Sequence, residues 1–128
     1  MATTELENFK KTIDQLQVYL ALPIVNDRDR AGIIQAFEFA FEQSWKAIQK
    51  MGGRAGVSVG NSKQAFMLAM QSGWIDRNDE PKWIRLLEDR NLTSLTYKQD
   101  LALQVLQRIQ SQYVQMFVGL LQRLSQSS

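Results

Sequence analysis

Cysteine and histidine are both absent from the 128 residues. Without thiols there is no disulfide, no thiolate nucleophile and no zinc–thiolate site. Without imidazole the commonest metal ligand and the usual neutral-pH general base are missing together. Chemistry is left to Asp, Glu, Lys, Arg, Tyr, Ser and Thr, and neither a metal nor a cofactor is expected. Long apolar runs are lacking too: none approaches the roughly 20 residues a membrane helix needs, and the opening MATTELENFKK is too polar for a signal peptide. A cytosolic protein is therefore expected, with no membrane partner. Charge of one sign is also scarce, since 15 basic and 13 acidic residues leave +2. The two halves of the chain are similarly balanced and no basic tail stands out, which argues against a general nucleic-acid binder and leaves room only for local RNA contacts. Strand signals are missing as well, with no sustained period-two alternation and no Asn-Gly or Asp-Gly hairpin turn.

What is present is helical periodicity. At 45% hydrophobic content the chain can bury a core unaided, so residues 1–128 are read as a single domain. Thr4 and Glu7 have capping-box spacing, and Leu6, Phe9, Ile13, Leu16 and Leu20 follow at helical intervals, predicting a first helix that ends before Pro23. A second helix is predicted from about Arg28 to Met51, with Ile34, Phe37, Phe41, Trp45 and Ile48 on one stripe. In it Glu42 and Lys46 are spaced for an exposed pair, and Gly52 and Gly53 are expected to stop it. A third runs from Ser62 to Ser72 and closes at Gly73. A fourth starts around Asp79, Glu80 and Pro81 and turns Trp83, Ile84 and Leu87 inward. A fifth opens at Thr96 and Gln99 and carries Leu101, Val105, Ile109, Phe117, Leu120 and Leu124. The expected class is all-α, a four- to five-helix up-and-down bundle. Three Trp and six Phe are either all core or in part a homodimer face, and the second reading is preferred.

Three segments invite a chemical reading. Gly52 to Gly60 holds four glycines ahead of a helix, but no strand precedes it and neither GxxxxGKS nor GxGxxG is present, so a flexible connector is expected rather than a phosphate loop. Glu38 and Glu42 suggest paired carboxylates, yet no ligand pattern surrounds them, and a polar seam or partner contact is the preferred reading. Glu88 to Tyr97 concentrates Asp, Arg, Asn, Thr, Ser and Tyr where the apolar stripe of the fourth helix should continue. Such groups are either exposed in a groove or bonded to one another. Read as packing alone, the run is a helix-to-helix turn with Arg90 paired to Asp89 or Glu88 and Thr96 as the cap.

Segments Arg30–Lys46, RAGIIQAFEFAFEQSWK, and Leu87–Tyr97, LEDRNLTSLTY, together with the spacing between them, resemble the signature stretches of nucleotidyltransferase substrate-binding proteins. These form a branch of the HEPN superfamily, in which ribonuclease toxins are paired with minimal nucleotidyltransferase antitoxins, and the likeness spans about residues 5 to 124. The family motif reads Arg, four residues, His, one residue, Tyr; Arg90 and Tyr97 match, while Leu95 occupies the histidine position. The resemblance implies a HEPN-like bundle, a homodimer with two motifs across one cleft, and metal-independent cleavage of RNA, with tRNA a candidate by analogy. It implies that Arg90 steadies charge on the phosphorane with Asn91 in support, and that Tyr97 is the site where the partner nucleotidyltransferase attaches AMP. Leucine cannot move the 2′-OH proton as imidazole does, so the chain as written is expected to be an inactive ribonuclease. Leu95 fits either natural decay into a non-catalytic binding partner of the nucleotidyltransferase or inactivation of a working toxin. The intact Arg90, Asn91 and Tyr97 favour the second.

Overall fold

The computed structural model describes residues 4–95 and 99–127. Among these residues every regular element is helical: α1 (Thr4–Ala21), α2 (Asp27–Arg54), α3 (Ser62–Gln71), a 3-10 turn (Arg77–Asp79), α4 (Glu80–Leu95), α5 (Gln99–Arg108), a π-turn (Ile109–Tyr113) and α6 (Val114–Ser127). The π-turn joins α5 to α6 without a break, so the chain is an all-α bundle of five rods, as the periodicity predicts. The central column is α2, which packs against α1, α3, α4, α5 and α6. The predicted stripes of α1 and α2 face inward: Phe9, Leu16, Phe37, Ala40 and Ile48 have no exposed surface.

The ends of the rods follow local chemistry. Asn26, in extended backbone, accepts the Asp29 N–H and starts α2 one turn after Pro23. Gly52 and Gly53 do not stop α2, contrary to expectation. The helix runs through them and ends where Gly56 adopts a left-handed φ of 82°, so that Val57 N–H returns to Gly52 O at 2.7 Å and Gly56 N–H to Gly53 O at 3.1 Å. Gly52 has a different use. A Cβ there would lie 2.6 Å from Leu68 Cδ2, so its hydrogen lets α3 approach α2. The glycine-rich segment is also packed rather than loose, because Val59 is buried and its carbonyl accepts from Gln49 Nε2 at 2.7 Å. A second left-handed glycine, Gly73, closes α3.

Two departures from the predicted stripes share one cause. Among the described side chains of α4, Trp83, Leu86 and Asp89 are buried, while Ile84, expected inside, is 46% exposed. In the last rod Tyr113 is fully buried between Ile109 and Phe117. Both rotations bring Tyr113 and Arg108 to Asp89. Arg108 Nε and Nη2 donate to the two Asp89 oxygens at 2.6 and 2.8 Å, and the Tyr113 hydroxyl donates to the same carboxylate. Five residues separate the two donors, an interval that an α-helix would place on different faces but that one π-turn aligns. Arg85 stands at 3.9 Å on the outer side. A carboxylate buried this completely requires such partners, since its desolvation is offset only by charge-assisted hydrogen bonds. The Tyr113 phenol is in turn pushed well above its usual value, by its own burial first and then by the Asp89 carboxylate.

From Tyr113 an aromatic chain crosses the core. Its ring stacks on Phe37 at 5.5 Å, Phe37 meets Phe117 at 6.1 Å, Phe117 meets Trp83 at 6.2 Å, Trp83 meets Phe66 at 5.0 Å and Phe66 meets Phe41 at 5.9 Å. Most of the aromatic surface is therefore spent inside, with Phe39, 55% exposed, the exception among the phenylalanines. No helix among the described residues is long and apolar enough to cross a membrane.

These contacts set four expectations for stability, read by urea denaturation. Gly53 sits in helix with open space at its Cβ, so Gly53→Ala should stabilise by about 0.5–1 kcal/mol, whereas Gly56→Ala should cost about 1 kcal/mol or more at its left-handed backbone. Asp89→Ala strands Arg108 and should cost about 3 kcal/mol or more. Because the folded state holds the Tyr113 proton more tightly than the unfolded chain, that contribution is complete below pH about 10 and is lost as pH rises further. Tyr113→Phe should thus flatten the alkaline fall in stability by up to about 1.4 kcal/mol per pH unit; an unchanged slope would remove the buried-phenol account.

Candidate functional site

The polar run Glu88 to Leu95 is not a turn between helices: α4 continues through Leu95. Successive residues on a helix point about 100° apart, so while Asp89 enters the core, Arg90 turns to a different neighbour. Its Nη2 lies 3.5 Å from Glu42 Oε1 of α2, and its guanidinium lies over the Phe41 ring, 5.4 Å from the centroid. The expected pairing of Arg90 with Asp89 or Glu88 is therefore replaced, because Asp89 is committed to Arg108 and Tyr113. Glu42, expected opposite Lys46, accepts instead from Trp45 Nε1 at 3.2 Å as well as facing Arg90.

Arg90 is thus held at the protein surface without being sealed in, its side chain 23% exposed and that of Glu42 36%. Among its partners are an aromatic floor, Phe41, and a carboxylate, Glu42, which hold the cation in place. Asn91, the next residue, is exposed. Position 95 lies one helical turn beyond Asn91 on the same side of α4. The Leu95 side chain, Thr96 and Tyr97 lie outside the described residues.

Among the described residues no three Asp or Glu side chains come together as a metal-ligand group. Glu42 is turned to Arg90 and Trp45, while Glu38 lines a separate groove with Arg28 and Gln35. Two contributors were not legible beforehand. Phe41 was read as core and also carries Arg90. The Asp89–Arg108–Tyr113 cluster had no sequence signal, because Arg108 and Tyr113 share a face only through the π-turn.

Residues 4–126 match the family described as nucleotidyltransferase substrate binding protein like. A probable ribonuclease HepT of Haemophilus influenzae is 33% identical over 91 residues, which make up 67% of this chain and 61% of that protein; the match thus spans under two thirds of the relative's length. A crystal structure of a protein from Thermus thermophilus superposes with a TM-score of 0.81 at 27% identity, covering 91% of this chain and 98% of that one. The chain belongs to the family of nucleotidyltransferase substrate-binding-like proteins, whose model spans residues 4–126.

Proposed function

We propose that this chain is the toxin-side member of a HEPN and minimal nucleotidyltransferase pair, built as a metal-independent endoribonuclease and silent as written because Leu95 stands where the catalytic histidine belongs. The observation that carries the reading is the state of Arg90. It is partly exposed and set over Phe41 beside Glu42, with Asn91 exposed next to it, on a helix whose register brings position 95 to the same side as Asn91. In such an enzyme the imidazole takes the 2′-OH proton, the oxygen attacks the adjacent phosphorus, and the 5′-oxygen leaves with a proton, while guanidinium groups hold the charge that builds on the phosphorane. A single protomer supplies one Arg90, so the working unit is a homodimer with two motifs across one cleft, acting on RNA, with tRNA a candidate class.

The nucleotidyltransferase partner acts at Tyr97. The phenol oxygen attacks the α-phosphorus of ATP, pyrophosphate leaves, the proton passes to solvent or base, and the attached AMP places negative charge and bulk beside Arg90. A second reading has its own support: the sequence contains no histidine at all, as a purely binding partner of the nucleotidyltransferase would allow.

Leu95→His should raise RNA cleavage without added metal by about 10²-fold or more and arrest growth, and Arg90→Ala on that background should abolish both. A restored protein that stays inert on total RNA would favour the binding-partner reading. With nucleotidyltransferase, ATP and magnesium, intact-mass measurement should show AMP on the chain as written and none on Tyr97→Phe. Equal incorporation in both, or none in either, would end the assignment of Tyr97. In a crystal the two Arg90 residues should face one cleft, and Arg90 on opposite outer faces of the dimer would remove the ribonuclease reading.

A further inference from the structure

The positive charge of this chain is not spread evenly over its surface. On α2, Lys46, Lys50 and Arg54 recur every four residues and are all exposed. With Gln49, Gly53 and Glu5 of α1 they line an open groove of about 470 Å³. Among the described residues none of the three cations has a carboxylate within 4.0 Å; the same holds for Lys11, Arg28, Lys63, Arg77 and Arg123, but Lys46, Lys50 and Arg54 stand together along one groove. Three cations against Glu5 give the groove an excess of two positive charges, equal to the formal +2 of the whole chain; the remaining charged groups sum to zero. Helix-dipole complementarity explains Arg54 in the last turn of α2, but that effect fades within one turn and does not reach Lys46.

The groove also has a direction. Glu42, which faces Arg90 at 3.5 Å, lies one turn before Lys46, so Lys46, Lys50 and Arg54 continue along α2 from the residue that meets Arg90, with steps of about 6 Å along the helix axis. That interval is comparable to the separation of successive phosphates in an extended single strand. Gln49 and the bare backbone of Gly53 keep the floor low between the cations.

We propose that this α2 groove is an RNA-backbone subsite, in which Lys46, Lys50 and Arg54 hold the phosphates that flank the one presented to Arg90. The inference rests on the ribonuclease reading and adds to it the part of the protein that holds the strand beside the cut. Binding is electrostatic and indifferent to base identity, because the groove offers no aromatic stacking platform. It also reconciles RNA as the substrate with a nearly neutral chain, since positive charge is needed only along one strand.

The chain as written suits the test, because Leu95 lets it bind RNA without cutting it. Fluorescence anisotropy with labelled single-stranded RNA of mixed sequence, read from 50 to 300 mM salt, would compare it with the triple variant Lys46→Gln, Lys50→Gln, Arg54→Gln and with Arg90→Ala. Each neutralised phosphate contributes about 0.7 to the slope of log affinity against log salt, so the triple variant should lose about 2 from that slope and bind about tenfold or more weakly at low salt. Its helical circular dichroism should be unchanged, the three side chains being exposed. Binding weakened by Arg90→Ala but untouched by the triple variant overturns the groove and spares the ribonuclease reading. Binding weakened by the triple variant and indifferent to Arg90→Ala keeps an RNA groove and removes its link to the site. No RNA binding by the parent chain overturns both. A triple variant that binds RNA normally but no longer associates with the nucleotidyltransferase makes the groove a protein-docking face and overturns the proposal.

Discussion

A buried carboxylate governs the arrangement of this bundle. Asp89 has no exposed surface, and a charge there is tolerable only with close donors on its oxygens. Arg108 and Tyr113 supply them, and doing so fixes three things at once. The rotation of α4 is set, so that Leu86 rather than Ile84 packs inward. The last rod carries a π-turn, because only that spacing brings both donors to one acceptor. The outward direction of the next residue, Arg90, follows from the geometry of the helix.

The aromatic core links the same two positions by another route. Tyr113 begins a chain of ring contacts that ends at Phe41, and Phe41 is the surface on which the Arg90 guanidinium rests. Neighbouring residues of α4 are therefore tied to opposite ends of one packed array, Asp89 through a hydrogen bond and Arg90 through a cation–π contact. Rings in dense contact move together, so a change at Phe37 or Phe117 would be felt at both residues. Arg90 is thereby held between two packed helices, α4 and α2.

Alongside that rigid core stands an electrostatic design of low overall charge. Several cations are matched by local carboxylates, Lys10 with Asp14 and Arg30 with Asp27 among them, while Glu42 holds Arg90 at the surface. A partly exposed pair of this kind contributes little to stability.

The division between sequence and tertiary structure is sharp. Heptad-like spacing of Phe9, Ile13 and Leu16, or of Phe37, Phe41 and Ile48, determines helices and their inward faces, because the 3.6-residue period is a local property. The segments Arg30–Lys46 and Leu87–Tyr97 with their separation likewise point to the family, which the match over residues 4–126 shows, and such a pattern of residue types needs no coordinates. Where α2 ends was decided in three dimensions, since Gly52 serves the approach of Leu68 and termination waits for the left-handed Gly56. The partners of Asp89 and Arg90 were also decided there. Hydrogen bonds to Arg108, Tyr113 and Glu42 join residues 19, 24 and 48 positions apart. A one-dimensional pattern assigns such a charge only to its nearest neighbours, whereas the packed helices assign it to whichever group the fold brings within reach.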